Sequence, residues 1–205
     1  MISTLRQITG ALCIVFWLSA CGSSPSSNFY RLTAAQPPSS AGQEPSLGIG
    51  PIAVAEFLNR NAMVYTRGGN QLQINSTERW AEPLEFGIKR VVGLNLSQLL
   101  QTENLQSFPW DLRQAPDYGV KISVIDLDAS EGQARMVVDW IIYDPSDGSP
   151  ITQRISHFTR PLPPGPVEAS ALPTAYSALL FELSETIAAA IKVEMQATPD
   201  APAAL

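Results

Sequence analysis

The sequence predicts an α+β fold: a two-layer sandwich in which two amphipathic helices cover one face of a mixed or antiparallel sheet of about six or seven strands. Three observations predict it. The chain has 205 residues, of which 45% are hydrophobic, enough to build a buried core. Two long segments repeat apolar residues every three or four positions, which is typical of amphipathic helices. Several short apolar segments are separated by turn-forming residues, which is typical of strands.

The first half of the chain predicts four strands. Residues 28–32 are a predicted edge strand, and residues 47–54 form a second strand whose Pro51 must lie at an edge or a bulge, because proline has no N–H for the ladder. Residues 63–66 and 71–74 flank a Gly-Gly turn and predict a hairpin.

The next segment predicts the first helix, beginning near Pro83. Its apolar positions recur at intervals of three and four: Leu84, Ile88, Val91, Val92, Leu96, Leu99 and Leu100. Glu82, beside Pro83, is expected in the first turn of this helix, where the helix dipole favours a carboxylate and the side chain can cap the helix. Gly87 and Gly93 each disfavour a helix interior. Two explanations stay open: close packing on a sheet, or loss of the helix.

The second half predicts a three-stranded meander and a second helix. Residues 120–124 and 136–142 alternate apolar and polar side chains, and an acidic turn at 144–148 leads into residues 151–159. Residues 172–191 form the second apolar stripe, opened at Pro173. We expect each half to be a small sheet covered by its own helix.

The N-terminus predicts export. Residues 1–20 have the order of a secretory signal peptide, and the apolar run is too short to span a membrane. Leu18-Ser19-Ala20-Cys21 resembles the lipobox of bacterial lipoproteins, in which the cysteine carries the lipids. The alternative is an ordinary signal peptide followed by a chance cysteine. Gly22, in place of the aspartate that retains lipoproteins at the inner membrane, implies the outer membrane and its periplasmic face.

These features predict the domain organisation. Residues 21–46 comprise the lipidated cysteine and a flexible tether rich in Gly, Ser and Pro. Residues 47–196 form a single α+β domain, to which the edge strand near 28–32 adds, and residues 197–205 form a frayed Ala/Pro tail.

The composition excludes several kinds of site. One histidine excludes a two-His zinc site, and two cysteines exclude a disulfide framework or a four-Cys zinc site. The net charge of −6 argues against a nucleic-acid partner. We therefore expect no cofactor, no metal and no catalytic residue. His157 is expected to be a plain strand residue, because no nucleophile elbow accompanies it.

Two other acidic segments favour structural interpretations. We expect the acidic group Asp126, Asp128 and Glu131 to be a solvated turn rather than a cation site, because its spacing is not that of an EF-hand loop. Residues 144–148 resemble an acidic calcium loop only superficially and predict a hairpin turn, because the downstream glutamate ligand is missing.

Five sequence pieces between Gly50 and Trp110 resemble the PqiC-type periplasmic lipoproteins, also called ABC-type transport auxiliary lipoproteins. The pieces, in order, are Gly50-Pro51-Ile-Ala-Val54, Phe57-Leu58-Asn59-Arg60, Met63-Val-Tyr-Thr-Arg67, Glu78-Arg79-Trp80-Ala81-Glu82-Pro83-Leu84 and Phe108-Pro109-Trp110.

The resemblance implies a non-enzymatic docking subunit. Such lipoproteins work with an inner-membrane protein whose MCE domains reach across the periplasm, and they are expected to form a homo-oligomeric ring at the outer-membrane end of a lipid transport system. The alternative is a free-standing lipid carrier, which needs an apolar cavity of roughly 300 Å³ or more.

Four residues are the candidates for partner contact: Arg60, Arg67, Arg79 and Trp80. Arginine and tryptophan are over-represented at interface hot spots. For Trp80 the alternative is favoured: a large aromatic residue between a strand and a helix usually packs into the core. Trp110, after Pro109, is expected to anchor a loop.

Overall fold

The computed structural model describes residues 26–35, 42–130 and 132–197. Within these residues the fold is α+β, as predicted, with eight strands and two α-helices. The elements in chain order are β1 (Asn28–Tyr30), β2 (Leu47–Val54), β3 (Ala62–Gly68), β4 (Gln71–Trp80), α1 (Leu84–Leu100), β5 (Leu105–Ser107), β6 (Tyr118–Ser130), β7 (Gln133–Tyr143), β8 (Pro150–Pro161) and α2 (Leu172–Ala197). Cys21 and the residues before it lie outside the described residues, as does the tail after residue 197.

The strands form two sheets. The larger has the order β5-β2-β6-β7-β8, and its β6-β7-β8 part is the predicted antiparallel meander. The smaller has the order β1-β4-β3, in which β3 and β4 form the predicted hairpin and β1 pairs with β4 in parallel. The expectation that each half of the chain forms its own small sheet covered by its own helix is wrong. Strand β2 leaves its own half and pairs in parallel with β6, with a bulge at Pro51.

Both helices cover one face of the five-stranded sheet. They pack side by side, α1 against β2 and α2 against β7 and β8. Strand β7 shows why this face is buried: Met136, Val138, Trp140 and Ile142 alternate along it and all are fully buried. The Trp140 Nε1 donates to the hydroxyl of Ser156 at 2.9 Å, so the one polar atom of that side chain is satisfied.

Both glycines of α1 lie within one continuous helix, so the alternative of a lost helix is wrong. Close packing explains Gly87 but not Gly93, where a Cβ would meet only ordinary van der Waals contacts. A Cβ on Gly93 would lie 3.6 Å from the side chain of Ile49, and one on Gly87 would lie 3.3 Å from a carboxylate oxygen of Glu82. The expectation that Glu82 caps the helix is wrong. Its carboxylate forms an ion pair with Arg90, and the N-terminus of α1 has no side-chain cap.

On the opposite face of the sheet, aromatic rings lie on glycines. A Cβ on Gly48 would come within 2.6 Å of the Trp110 ring, and one on Gly119 within 2.5 Å of the Tyr143 ring. The two rings stack on each other at 6.5 Å, and the Tyr143 hydroxyl donates to the carbonyl of Gly50 at 3.2 Å. Trp110 therefore anchors its loop, as the sequence predicts.

Candidate functional site

The segment after β1 lies across both helices, and we call residues 31–35 the N-terminal strap. Three hydrogen bonds fix it: Arg90 Nη2 donates to the Leu32 carbonyl at 3.1 Å, Thr33 N to Ser177 Oγ at 3.0 Å, and Ala35 N to Asn95 Oδ1 at 3.2 Å. The Leu32 side chain is 1% exposed and belongs to the core. The strap therefore ties the N-terminal end of the chain firmly to the helix layer.

The three candidate arginines do not form one site. Arg79 lies opposite Ala62 in the β3–β4 ladder, and Arg60 is two residues before Ala62, so Arg60 and Arg79 share one end of the small sheet. Arg67 is near the other end of β3, about 16 Å away at the usual rise per strand residue. The structure thus brings two of the arginines together and separates the third.

Trp80 lies in the core. It is 5% exposed, and its ring stacks on Tyr176 at 6.2 Å between centroids. Its backbone N–H donates to the Asn61 carbonyl at 2.7 Å. Trp80 therefore packs into the core, which was the favoured alternative for this residue, and its indole is not available for partner contact.

Two exposed residues at the same end of the sheet are not among the residues predicted from the sequence. Phe29, which is 65% exposed, lies opposite Arg79 in the β1–β4 ladder, and Arg31 follows it by two positions. The alternation in residues 28–32 carries this signal, because Tyr30 and Leu32 fall on the inward side and Phe29 and Arg31 on the outward side.

We call Phe29, Arg31, Arg60 and Arg79 the basic patch. Within the described residues, none of its arginines forms an ion pair. Each of its three arginines therefore has no carboxylate within ion-pair distance among the described residues.

A carboxylate on the inward side holds β1 in place. The Asn28 amide donates to Glu78 at 2.8 Å. The Tyr30 hydroxyl and this amide lower the pKa of Glu78, and the carboxylate in turn raises the pKa of Tyr30. Glu78 therefore serves the β1–β4 pairing and leaves the outward side basic.

A cleft of about 660 Å³ opens at the other end of the hairpin. Its lining is the side of β3 and β4 near the turn, the β6–β7 end and the connector before α2: Tyr65, Thr66, Arg67, Gly68, Gly69, Gln73, Ser130, Arg135, Gly165, Pro166 and Val167. Most of these residues have polar side chains or are glycines. Such a lining suits a polar or peptide segment and lacks the apolar walls that an acyl chain needs.

The carboxylates beside the cleft are structural, and the expectation of a solvated turn is wrong for them. Asp126 and Asp128 lie within β6, where both pair with Arg135 at 3.1 and 3.5 Å. Asp128 is 3% exposed and accepts the backbone N–H of Thr66 at 2.7 Å, which joins the small sheet to the large one. Glu131 lies outside the described residues. The cleft is lined by two arginines, Arg67 and Arg135. Arg135 pairs with these two aspartates, whereas Arg67 has no ion pair among the described residues.

The remaining candidates occupy ordinary positions. His157 is an exposed residue in the middle of β8, opposite Val137. Residues 144–148 form the predicted hairpin turn, closed by a 2.8 Å bond from Gly148 N to the Asp144 carbonyl. Within the described residues no group of three or more His, Cys, Asp or Glu side chains is arranged to hold a metal ion. None of the helices in this part of the chain is long and apolar enough to cross a bilayer.

Comparison with known proteins gives one family and a set of related folds. The sequence model of the family described as "ABC-type transport auxiliary lipoprotein component" matches residues 30–188. A crystal structure of an uncharacterized protein aligns with a TM-score of 0.66 at 18% identity, over 82% of this chain and 99% of that one. A Xanthomonas campestris protein of the DUF330 family aligns with a TM-score of 0.62 at 14% identity, over the same shares. At 18% and 14% sequence identity, these two structural alignments show that the fold is shared. Among curated proteins no sequence match is found.

Proposed function

The chain belongs to the family of ABC-type transport auxiliary lipoproteins, and from this membership we propose that it is an outer-membrane-anchored periplasmic lipoprotein that docks an MCE-type lipid transport protein. The family match confirms the resemblance seen in the five sequence pieces.

The single observation that carries the docking role is the position and lining of the cleft. It lies beside the exposed hairpin turn, and Arg67 at its rim has no ion pair among the described residues. Arginine and tyrosine are among the residues enriched at interface hot spots, and Arg67 is exposed and lines the cleft beside Tyr65. We therefore place the partner contact at Arg67.

The alternative, a free-standing lipid carrier, gains no support from this cleft. A carrier must bury most of an acyl chain against apolar walls. The cleft walls carry Gln73, Ser130 and two arginines, and burying an acyl chain there would desolvate these groups without compensation. Docking is the function that the geometry favours.

A homo-oligomer is the proposed working form. Strand β8, twelve residues long, is one edge of the large sheet and has no further strand beside it among the described residues. An unpaired edge presents N–H and C=O groups to another chain. Ile155, on its outward side, is 62% exposed. Anchoring at Cys21 would concentrate copies on one surface and help weak contacts close into a ring.

Two measurements test the proposal. Membrane fractionation with mass spectrometry should recover the mature chain in the outer membrane, acylated at Cys21, and an unmodified soluble protein would contradict the anchor. Co-purification should show partner capture reduced at least tenfold by Arg67→Glu, because a charge reversal at a hot spot costs about 2 kcal/mol or more. Lys192→Glu, an exposed charge reversal on α2, is the matched control and should leave capture unchanged.

A further inference from the structure

The basic patch has the chemistry of a surface that lies on anionic phospholipid. Phe29 and Arg31 project outward from β1, beside the half-buried Arg79 on β4, and the exposed Arg60 lies two residues before β3. The arginines form no ion pair among the described residues, and the Glu78 carboxylate is engaged on the inward side. Cations around one exposed aromatic ring are the groups that the interface of an anionic bilayer attracts.

The length of chain between the anchor and the fold brings this patch to the membrane. Six residues lie between Cys21 and Asn28, so their Cα atoms are at most about 25 Å apart, the span of seven fully extended peptide units. A domain of this size is about 40 Å across, judged from a radius of gyration near 15 Å. The tether is therefore too short for the domain to turn its far side to the bilayer.

The strap keeps this geometry fixed. Because residues 31–35 are bonded to both helices, the chain emerges at one place, at the start of β1 and beside Phe29. The far end of the molecule is marked by Val193, which lies 17 residues beyond Tyr176 along α2, or about 25 Å at the helical rise.

We propose that the basic patch is the surface through which the domain rests on the anionic phospholipid bilayer that holds its anchor. This inference rests on the proposed lipidation of Cys21. It gives the domain a fixed orientation, in which the patch faces lipid. The cleft at Arg67 lies at the other end of the hairpin and is not part of this surface.

The test uses the acylated full-length mature protein in vesicles of phosphatidylcholine with or without phosphatidylglycerol, each prepared with brominated acyl chains. Phe29→Trp reports contact by fluorescence quenching. Val193→Trp is the matched control, because the two native side chains are 65% and 66% exposed. The parent protein with its native tryptophans gives the baseline, and circular dichroism checks that both variants are folded.

The expected result is strong quenching of Phe29→Trp, none of Val193→Trp, and dependence on phosphatidylglycerol and on low salt. Adding Arg31→Gln and Arg60→Gln should lower the ratio of docked to free domain about 25-fold, at about fivefold for each arginine near an anionic surface. Equal quenching at both positions, or quenching insensitive to phosphatidylglycerol and to both arginine changes, would overturn the proposal. Mass spectrometry of the same sample separates the two hypotheses: a chain without acyl groups refutes the anchor and this surface together, whereas an acylated chain without selective quenching refutes the surface alone.

Discussion

Replacing Leu32 by alanine tests whether the strap is part of the folded core. Its side chain is 1% exposed and touches the helix layer, where its Cδ1 would lie 3.4 Å from a Cβ at Gly87. Removing a fully buried leucine side chain costs about 2–5 kcal/mol, the sum of lost transfer free energy and the cavity left behind. We expect a loss near the middle of that range, about 3 kcal/mol. In a protein of this size that lowers the melting temperature by about 6–12 °C.

The assay is urea and thermal unfolding of the mature chain in a Cys21→Ser background, followed by circular dichroism. Phe29→Ala is the control. It removes a larger side chain only three positions away, yet it should change the free energy of unfolding by less than about 0.5 kcal/mol because Phe29 is exposed. If the two variants were equally stable, the strap would not be anchored in the core. The fixed exit point of the tether would then lose its structural basis.

Three further predictions concern packing, pH and the absence of catalysis. Gly119→Ala should destabilise the protein by about 1–3 kcal/mol in urea unfolding, because the new Cβ would meet the Tyr143 ring at 2.5 Å. Gly93→Ala in α1 is the control and should be neutral or stabilising by up to about 1 kcal/mol, and the reverse order of stabilities would refute the packing of the Tyr143 ring on Gly119. The pKa of Glu78 is lowered in the folded state, so the ionised carboxylate stabilises the fold above the ordinary glutamate pKa, and this stabilisation is lost as the pH falls through the lowered pKa. Amide hydrogen exchange of β1 should therefore become faster as the pH falls through the lowered pKa, and Glu78→Gln should remove this pH dependence. His157→Ala should leave partner capture and cellular function intact, and a loss of function at normal protein level would contradict a non-enzymatic role.

Elements defined by local periodicity were predictable. Helix α1 begins and ends where the apolar stripe does, at Leu84 and Leu100, and the β6-β7-β8 meander follows from alternation and an acidic turn. In each case the signal is local, because a helix face or a hairpin is specified by residues close in sequence.

Pairings between distant segments were not predictable. Strand β2 joins β6 in parallel across about seventy residues, and a parallel pair has no turn whose chemistry marks it. The three-residue strand β5, which pairs with β2, is too short to show a period. The sandwich could therefore be predicted as a class, whereas its division into two sheets could not.

The candidate site was predicted in its residue types and not in its geometry. Arg60, Arg67 and Arg79 lie within twenty residues of one another, yet the hairpin places Arg67 about 16 Å along the strand from the position of Arg79, and Arg60 lies beyond that position. Asp126 and Asp128 look like a solvated turn in sequence because acidic residues usually are exposed. Their partner, Arg135, comes from the next strand and becomes visible only once the register is known.

We propose that this member of the transport auxiliary lipoprotein family acts by docking a transport partner. The most direct test is a pull-down of the native acylated protein from detergent-solubilised membranes, followed by mass spectrometry and by a phospholipid-extraction assay on the same sample. The account predicts an oligomer that co-purifies with a periplasm-spanning MCE-domain protein and extracts no phospholipid by itself. A strictly monomeric protein that removes labelled phospholipid from vesicles without any partner would contradict it.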